Sequence, residues 1–517
     1  MPEVPRRRFL ALTAAAFGGP VLLPSRGPVP AGAFTLGVAS GDPLPDGVLL
    51  WTRLAPRPLE PRGGMPDRPV EVRWEVAADE RFRRVVRTGV AVARAANAHT
   101  LHVDVRGLDA ARGYFYRFRA GGQSSPVGRT RTAPAPGAAV RRLRFTTASC
   151  QNWQDGYYTA YRSMAAEDLD FVVWLGDYLY ESAPWPGLIR EHAGTGQPYT
   201  LDDYRIRHAQ YRTDPDLARM HAAAPWIVSI DDHDVDDNWT GDLPADPRAV
   251  EKVPFTARKA AALRAFAEHL PIRLGPGGRM FRRFGFGDLA TLHVLDTRSY
   301  RSPHPTTVAE AREPWRTMTG PAQESWLTSG LATSGSRWNL LANQVMIAAG
   351  DSKAGPGEKY SFDGWDGYRA QRRRLLEFLG SGATRNPVVL TGDQHATWIN
   401  DLRTDFRDES SPLVASEFVG TSITSGGDPD LVRFRHQRAT LQQENPHCRY
   451  LDNQRGYLLA DVTPDEFCVR LRVVDSVTDP TAGAARSVAR FAVESDRPGV
   501  HLEGPPNLSG APGGLLP

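Results

Sequence analysis

Residues 171–181 read Phe171-Val172-Val173-Trp174-Leu175-Gly176-Asp177-Tyr178-Leu179-Tyr180-Glu181. Five consecutive apolar residues, β-branched or aromatic in four cases, are too short for an ordinary helix. They predict a strand buried on both faces. Gly176-Asp177 predicts a turn at its carboxyl end, and the side chains that follow are polar or ionisable. The same pattern recurs along the chain. Arg144–Ala148 runs into Ser149-Cys150-Gln151-Asn152. Trp226–Ile230 runs into Asp231-Asp232-His233-Asp234-Val235-Asp236-Asp237-Asn238-Trp239. Pro387–Leu390 leads to Gly392-Asp393-Gln394-His395. Further strands are expected over 289–295 and 338–341, and a helix over 158–167. Apolar strands alternating with helices predict a layered α/β core. Ligands in such cores gather at the carboxyl ends of the strands, where all four clusters fall.

On the N-terminal side the pattern changes. Val70–Val76, His102–Val105 and Tyr114–Phe118 alternate or are aromatic, as half-buried strands do, and Gly107–Ala111 is a turn. The region resembles a fibronectin-type β-sandwich of about 100 residues, and Ser40-Gly41-Asp42-Pro43 is expected to be a turn within it. Ala133-Pro134-Ala135-Pro136-Gly137 has linker composition. The expected units are therefore an address segment (1–33), a β-sandwich (34–136), a catalytic domain (140–497) and a flexible tail (498–517). The first segment combines Arg6-Arg7-Arg8-Phe9-Leu10, an apolar stretch to about Leu23 and small residues at 31–33. It resembles a twin-arginine export signal, and so predicts a secreted or cell-envelope protein that leaves the cell already folded.

Bulk properties exclude several classes. With 517 residues, two domains are the default. Lys plus Arg number 62 against 59 Asp plus Glu, a net charge of +3. That is not the basic surplus of a nucleic-acid binder. Apart from the export signal, no apolar run is long enough to span a bilayer. Three cysteines, Cys150, Cys448 and Cys468, are too few for a disulfide framework. Cys448 and Cys468 are candidates for one bridge, or all three are buried thiols.

The four clusters together supply carboxylates, an imidazole, an amide, a phenol and a thiol, which is the donor set of a multinuclear metal site. Five aspartates between Asp231 and Asp237 repel one another and call for a counter-cation.

These motifs, in this order, resemble the PhoD-like metallophosphatases. So do Leu295-Asp296-Thr297-Arg298, the run 338–344 (Trp-Asn-Leu-Leu-Ala-Asn-Gln), Trp365-Asp366-Gly367-Tyr368, Arg455-Gly456-Tyr457 and the opening Phe34–Pro43. The resemblance implies a four-layer α/β/β/α metallophosphoesterase core behind the sandwich. It also implies a ferric ion (Fe3+) bound by Cys150 and Tyr180, with calcium (Ca2+) beside it. Asp177 would bridge the metals, and Asp231, Asn238, Asp393 and His395 would complete the site, with Asp232 and His233 next to it. Where the family usually has Asn-Asn before the Trp, this chain has Asp237-Asn238, and a carboxylate at that position would favour a less charged diester. Asp232, His233 and Arg298 are the candidate catalytic groups and Asp237 and His447 the candidate substrate-binding ones, with Arg298 and His447 supporting groups or structural residues. The stretch Gly420–Gly427 either shapes the pocket or is an ordinary loop.

The implied reaction is hydrolysis of a small phosphate ester, monoester or diester, by metal-activated water. The rivals are a phospholipase D-type diesterase on the same fold and a non-enzymatic secreted binding protein with structural metals.

Overall fold

The computed structural model describes residues 28–194, 196–246, 252–426 and 431–503. Most of the proposed export signal (1–27) and the end of the tail (504–517) lie outside the described residues.

Two large sheets form the centre. The first has ten strands, in the spatial order His501–Leu502, Arg486–Glu494, Glu466–Val473, Gly456–Val462, Leu143–Ala148, Phe171–Trp174, Trp226–Val228, Val38–Leu44, Gly47–Arg53 and Thr100–Arg106. The second has seven: Arg282–Phe286, Ala290–Val294, Trp338–Ala342, Pro387–Thr391, Leu413–Val419, Thr397–Arg403 and Cys448–Asp452. The central strands of both are parallel.

Strand alternation explains the layering. Phe171 and Val173 point into a core between the two sheets, where they meet Phe286, Leu292, Leu340 and Val388. Val172 and Trp174 point the other way, into a second core with Tyr204, Leu217, Ala262 and Phe266 from the helices Leu201–Arg212, Pro215–Ala223 and Phe255–His269. The outer face of the second sheet is covered likewise by Gly320–Ala332 and Arg369–Gly380. Each fully buried large apolar side chain contributes about 1.5–3 kcal/mol. The helix Leu201–Arg212 starts where the sequence says it should: Thr200 accepts from the Asp203 N–H, and the Asp203 carboxylate accepts from the Thr200 N–H.

Four differences from the sequence expectations concern the N-terminal region and the tail. Ser40-Gly41-Asp42-Pro43 is not a turn but the middle of the strand Val38–Leu44, and Gly41 pairs in parallel with Trp226. A Cβ at Gly41 would lie 2.1 Å from the Pro271 carbonyl oxygen and 2.6 Å from that of Trp226, so glycine is required by close backbone approach. Buried Asp42 is neutralised by Arg282 at 2.8 Å. The N-terminal region therefore shares a sheet with the α/β core. Its remaining strands, Val70–Ala77, Val85–Ala93, Gly113–Ala120, Gln123–Ser124 and Gly128–Arg131, form a separate five-stranded sheet packed on the first through Val48, Leu50, Val72, Tyr116 and Phe118.

The fold also reaches behind Phe34. Ala33 is wholly buried, and Gln123 donates to the carbonyls of Val29 and Pro30. Beyond 497, His501–Leu502 still pairs with Arg486–Glu494. All three cysteines are free thiols, so Cys448 and Cys468 are not bridged. Among the described residues, no helix is long and apolar enough to cross a membrane.

Candidate metal centre

The carboxyl ends of the parallel strands of both sheets converge, and an isolated bridge between Ser149 and Ser422 links the two sheets at that point. Thirteen non-glycine residues among those described have positive φ. Five of them are Cys150, Asp177, Asn238, Asp393 and His395, with φ between 52° and 65°. Backbone in this sparsely populated region is maintained only where the surroundings impose it, and it concentrates at functional sites.

Three groups of potential ligand atoms lie within 4.8 Å: Cys150, Asp177 and His395; Asp177, Asp232 and His233; and Asp231, Asp232 and Asp393. Asp177 links the first two. Its Oδ2 accepts from the Cys150 thiol at 3.4 Å and from the Tyr180 hydroxyl at 3.1 Å, while its Oδ1 accepts from the His233 N–H at 3.3 Å. The Tyr180 hydroxyl is also 3.0 Å from His395 Nε2. Asn238 meets the group through its backbone, donating to Asp232 at 2.8 Å, and its amide donates to Asp237 at 2.9 Å. Asp237 stands at the rim with its side chain 62% exposed. The loop after Val419 closes the site from the other sheet: the N–H groups of Thr424 and Ser425 donate to the Cys150 carbonyl. That places Gly420–Gly426 against the centre; Gly427 is outside the described residues.

Asp234 has a different task from its neighbours. Its buried carboxylate accepts from the backbone N–H groups of Asp177, Tyr178 and Asp231 at 3.0 Å each. It therefore ties together the loops that follow two adjacent strands.

The electrostatics are those of an overcrowded anionic site. Burial, then Asp232 among its neighbours, pushes Asp177 well above the usual carboxylate range. Burial and nearby carboxylates do the same to Asp231, against the pull of Arg298. Burial, with Asp363 and Asp232, moves Asp393 up to about 7. Burial also raises Asp232, but Arg298 and then His233 outweigh it and hold that group below its ordinary value. The Cys150 thiol is pushed up by burial and then by Asp177.

Arg298 is fully buried. Its Nε lies 2.5 Å from Asp231, its Nη1 2.5 Å from Asp363 and its Nη2 3.3 Å from Asp232. It is therefore enclosed by carboxylates and holds them in place. Asp363, absent from the sequence expectations, also accepts from Arg301 at 2.9 Å and lies 3.1 Å from His304 Nε2. Nothing in Ser361-Phe362-Asp363-Gly364 distinguishes it from a turn. Glu181, buried beside Tyr180, accepts from His233 Nδ1 at 2.9 Å and from the Asp237 N–H at 3.0 Å. His447 makes its contacts elsewhere: its Nε2 bonds the Ala349 carbonyl at 2.8 Å and its ring packs on Phe406. The substrate-binding role expected of His447 has no support in these contacts.

Comparison with known proteins identifies the family. The profile of the family described as PhoD-like phosphatase matches residues 145–471, and that of the PhoD-like phosphatase N-terminal domain matches residues 24–134. The chain is 46% identical over 484 residues to alkaline phosphatase D of Bacillus subtilis (strain 168), covering 90% of this chain and 82% of that protein. A solved structure of PhoD superposes with a TM-score of 0.87 at 44% identity over 94% of each chain. The chain therefore belongs to the PhoD-like phosphatase family of metal-dependent phosphoric ester hydrolases.

Proposed function

We propose that this chain hydrolyses phosphate esters, with a preference for diesters, at a site where Cys150, Tyr180 and His395 hold a ferric ion and the carboxylates of Asp231, Asp232 and Asp393 hold calcium. Asp177 carries this reading, because it belongs both to the thiol–imidazole group and to the carboxylate–His233 group and so occupies the place of a bridging ligand. The donor set fits these ions: sulfur, phenol and imidazole suit a transition metal, and clustered carboxylates suit a hard cation. Asp231 Oδ2 is buried without a hydrogen-bond partner, which a cation would satisfy. Asn238 would complete the set by turning its amide from Asp237 toward the carboxylates.

When bound, the cations supply Lewis acidity, which activates water and neutralises charge on the phosphoryl oxygens. The chain's own residues supply position and protons. Burial pulls the His233 imidazole down, but Glu181, Asp232 and Asp177 outweigh it and raise it well above the ordinary range before the charge of any cation is counted. His233 Nε2 points toward the rim and holds a proton for the leaving alcohol oxygen. Asp237 at the rim repels a dianionic monoester more than a monoanionic diester.

We further read the sheet and helix layers as the α/β/β/α arrangement of the catalytic core, and the N-terminal strands as a fibronectin-like sandwich that shares one of its sheets with that core. We read the segment around Arg6-Arg7-Arg8-Phe9-Leu10 as a twin-arginine export signal that ends before the residues from Val29 to Ala33, which are packed into the fold. The test is metal analysis of protein recovered by its own export route, with parallel assays on a monoester, a bis-ester and a phospholipid. Iron and calcium together with fastest hydrolysis of the bis-ester support the assignment. A centre without iron, or faster turnover of the monoester, contradicts it.

A further inference from the structure

We infer that the groove at the start of the helix Arg369–Gly380 is a second binding site, distinct from the metal centre, for a phosphoryl anion that keeps one proton: inorganic phosphate or the phosphoryl end of a monoester. None of the residues lining it belongs to the three ligand groups of the centre, so the inference does not depend on which metals those groups hold.

The groove encloses about 960 Å³ between the first turns of that helix and residues of the segments 351–360, 404–409 and 444–447. The helix begins against the ordinary electrostatic preference. Its positive end leaves N–H groups without partners inside the helix and favours acidic side chains. Here Tyr368 gives no side-chain cap, the first turn has no acidic residue, and Arg369, Arg372, Arg373 and Arg374 fall within the first six positions. Arg374 is paired with Glu324 at 2.7 Å and Arg373 with Glu377 at 3.6 Å. The other two, together with Arg407, share only Glu358 and Asp366. Arg369 Nη2 is buried without a hydrogen-bond partner. Surplus guanidinium at a helix N-terminus is the setting in which proteins bind phosphoryl anions.

His447, which the metal centre does not use, supplies the second recognition element. It lines the groove and is 5% exposed. Its Nε2 bonds the Ala349 carbonyl at 2.8 Å and therefore carries the hydrogen, which makes Nδ1 an acceptor, buried and without a partner. Burial, with Arg372 nearby, lowers its pKa from 6.5 to about 4, so the ring is neutral at pH 7. A ligand that suits both elements accepts from guanidiniums and donates one hydrogen to the imidazole. A hydrogen phosphate group does both, whereas sulfate has no hydrogen to give at that pH. The carboxylates along the groove act in the same direction. Asp351, Asp405 and Glu444 accept from the N–H groups of Lys353, Arg407 and Gly355, and Glu409 is exposed. Their charge is better tolerated by an anion that carries a proton.

Equilibrium dialysis of the metal-loaded enzyme against labelled inorganic phosphate, at pH 7 and fixed ionic strength, tests the inference in the parent, Arg407→Gln and Arg369→Gln. The Arg407 side chain is 54% exposed, so its replacement leaves the fold intact. The parent should hold one phosphate per chain that both variants bind at least about 10-fold more weakly, as loss of a charge-assisted hydrogen bond implies. Hydrolysis of a p-nitrophenyl diester at low phosphate should be equal in all three. Displacing the label from this site should take at least about ten times more sulfate than phosphate. Methylphosphonate, which keeps a P–OH, separates the two sources: displacement as effective as that by phosphate supports a site for a monoester end, and no displacement supports a site for the free ion. Equal phosphate binding by the parent and Arg407→Gln, equal displacement by sulfate, or loss of hydrolysis together with the phosphate overturns the inference.

Discussion

Arg298 Nε lies 2.5 Å from Asp231 Oδ1, and both side chains are closed off from solvent. The same guanidinium is held by Asp363 and reaches Asp232. Asp363 also has Arg301, so two buried guanidiniums serve the four carboxylates of Asp231, Asp232, Asp363 and Asp393, which is too little positive charge for the group to be self-sufficient.

Replacing Arg298 by Met should therefore destabilise the protein by about 3–5 kcal/mol when metals have been removed, since it strands buried charges. The loss should be smaller with metals present, because the cations take over part of the neutralisation. Thermal unfolding with and without a chelator measures both. An equal loss in the two conditions would show that Arg298 and the metals act on different carboxylates.

Asp177→Asn keeps size and removes the charge that links two ligand groups. Activity and bound metal should fall together while the chain stays folded. Full metal content with full activity would exclude Asp177 as a bridge.

Gly41→Ala should cost about 1–3 kcal/mol, because a Cβ there meets the backbone oxygens of Pro271 and Trp226 and the strands must separate. The N-terminal strands are joined to the α/β core at this point, so limited proteolysis should cut between the two regions faster than in the parent. Unchanged midpoint and cleavage rate would contradict the shared sheet.

His208 is buried against His269, their rings stacked 5.0 Å apart, and neither of its nitrogens has a hydrogen-bond partner. Burial, then Arg53 and Arg212, lowers its pKa from 6.5 to about 3. Below pH 6.5 the unfolded chain takes up a proton that the folded chain refuses, so stability is lost as pH falls from 6.5 toward 3. His208→Gln should reduce the loss between pH 7 and pH 5 by about 1–2 kcal/mol, from roughly 1.4 kcal/mol per pH unit. Chemical denaturation of both proteins at the two pH values decides it; parallel slopes would show that His208 already protonates in the fold.

What could be read from sequence followed from local physics. Phe171–Leu175 and its counterparts announce buried strands, so Cys150, Asp177, Asp231, Asp393 and His395 were placed at strand ends by periodicity alone. What could not be read depends on long-range partners. Glu181 is an ordinary acidic residue until His233, 52 positions on, is folded against it. Asp363 sits in a turn-like sequence and gains meaning only from Arg298 and Arg301. Asp234 looks like its neighbours but spends its carboxylate on backbone N–H groups. Ser40–Pro43 reads as a turn because the strand it joins, at Trp226, is remote in sequence.

The most direct test of the account is the iron content and visible spectrum of three serine variants, at Cys150, Cys448 and Cys468. Thiolate and phenolate bound to a ferric ion absorb visible light by charge transfer, so the parent protein should be coloured. Cys150→Ser should lose iron, colour and most activity, since a neutral hydroxyl is a far poorer ligand than a thiolate. Cys448→Ser and Cys468→Ser, at buried thiols in the strands Cys448–Asp452 and Glu466–Val473, should keep all three. Unchanged iron and colour in Cys150→Ser would contradict the central claim and leave a centre built from oxygen and nitrogen alone.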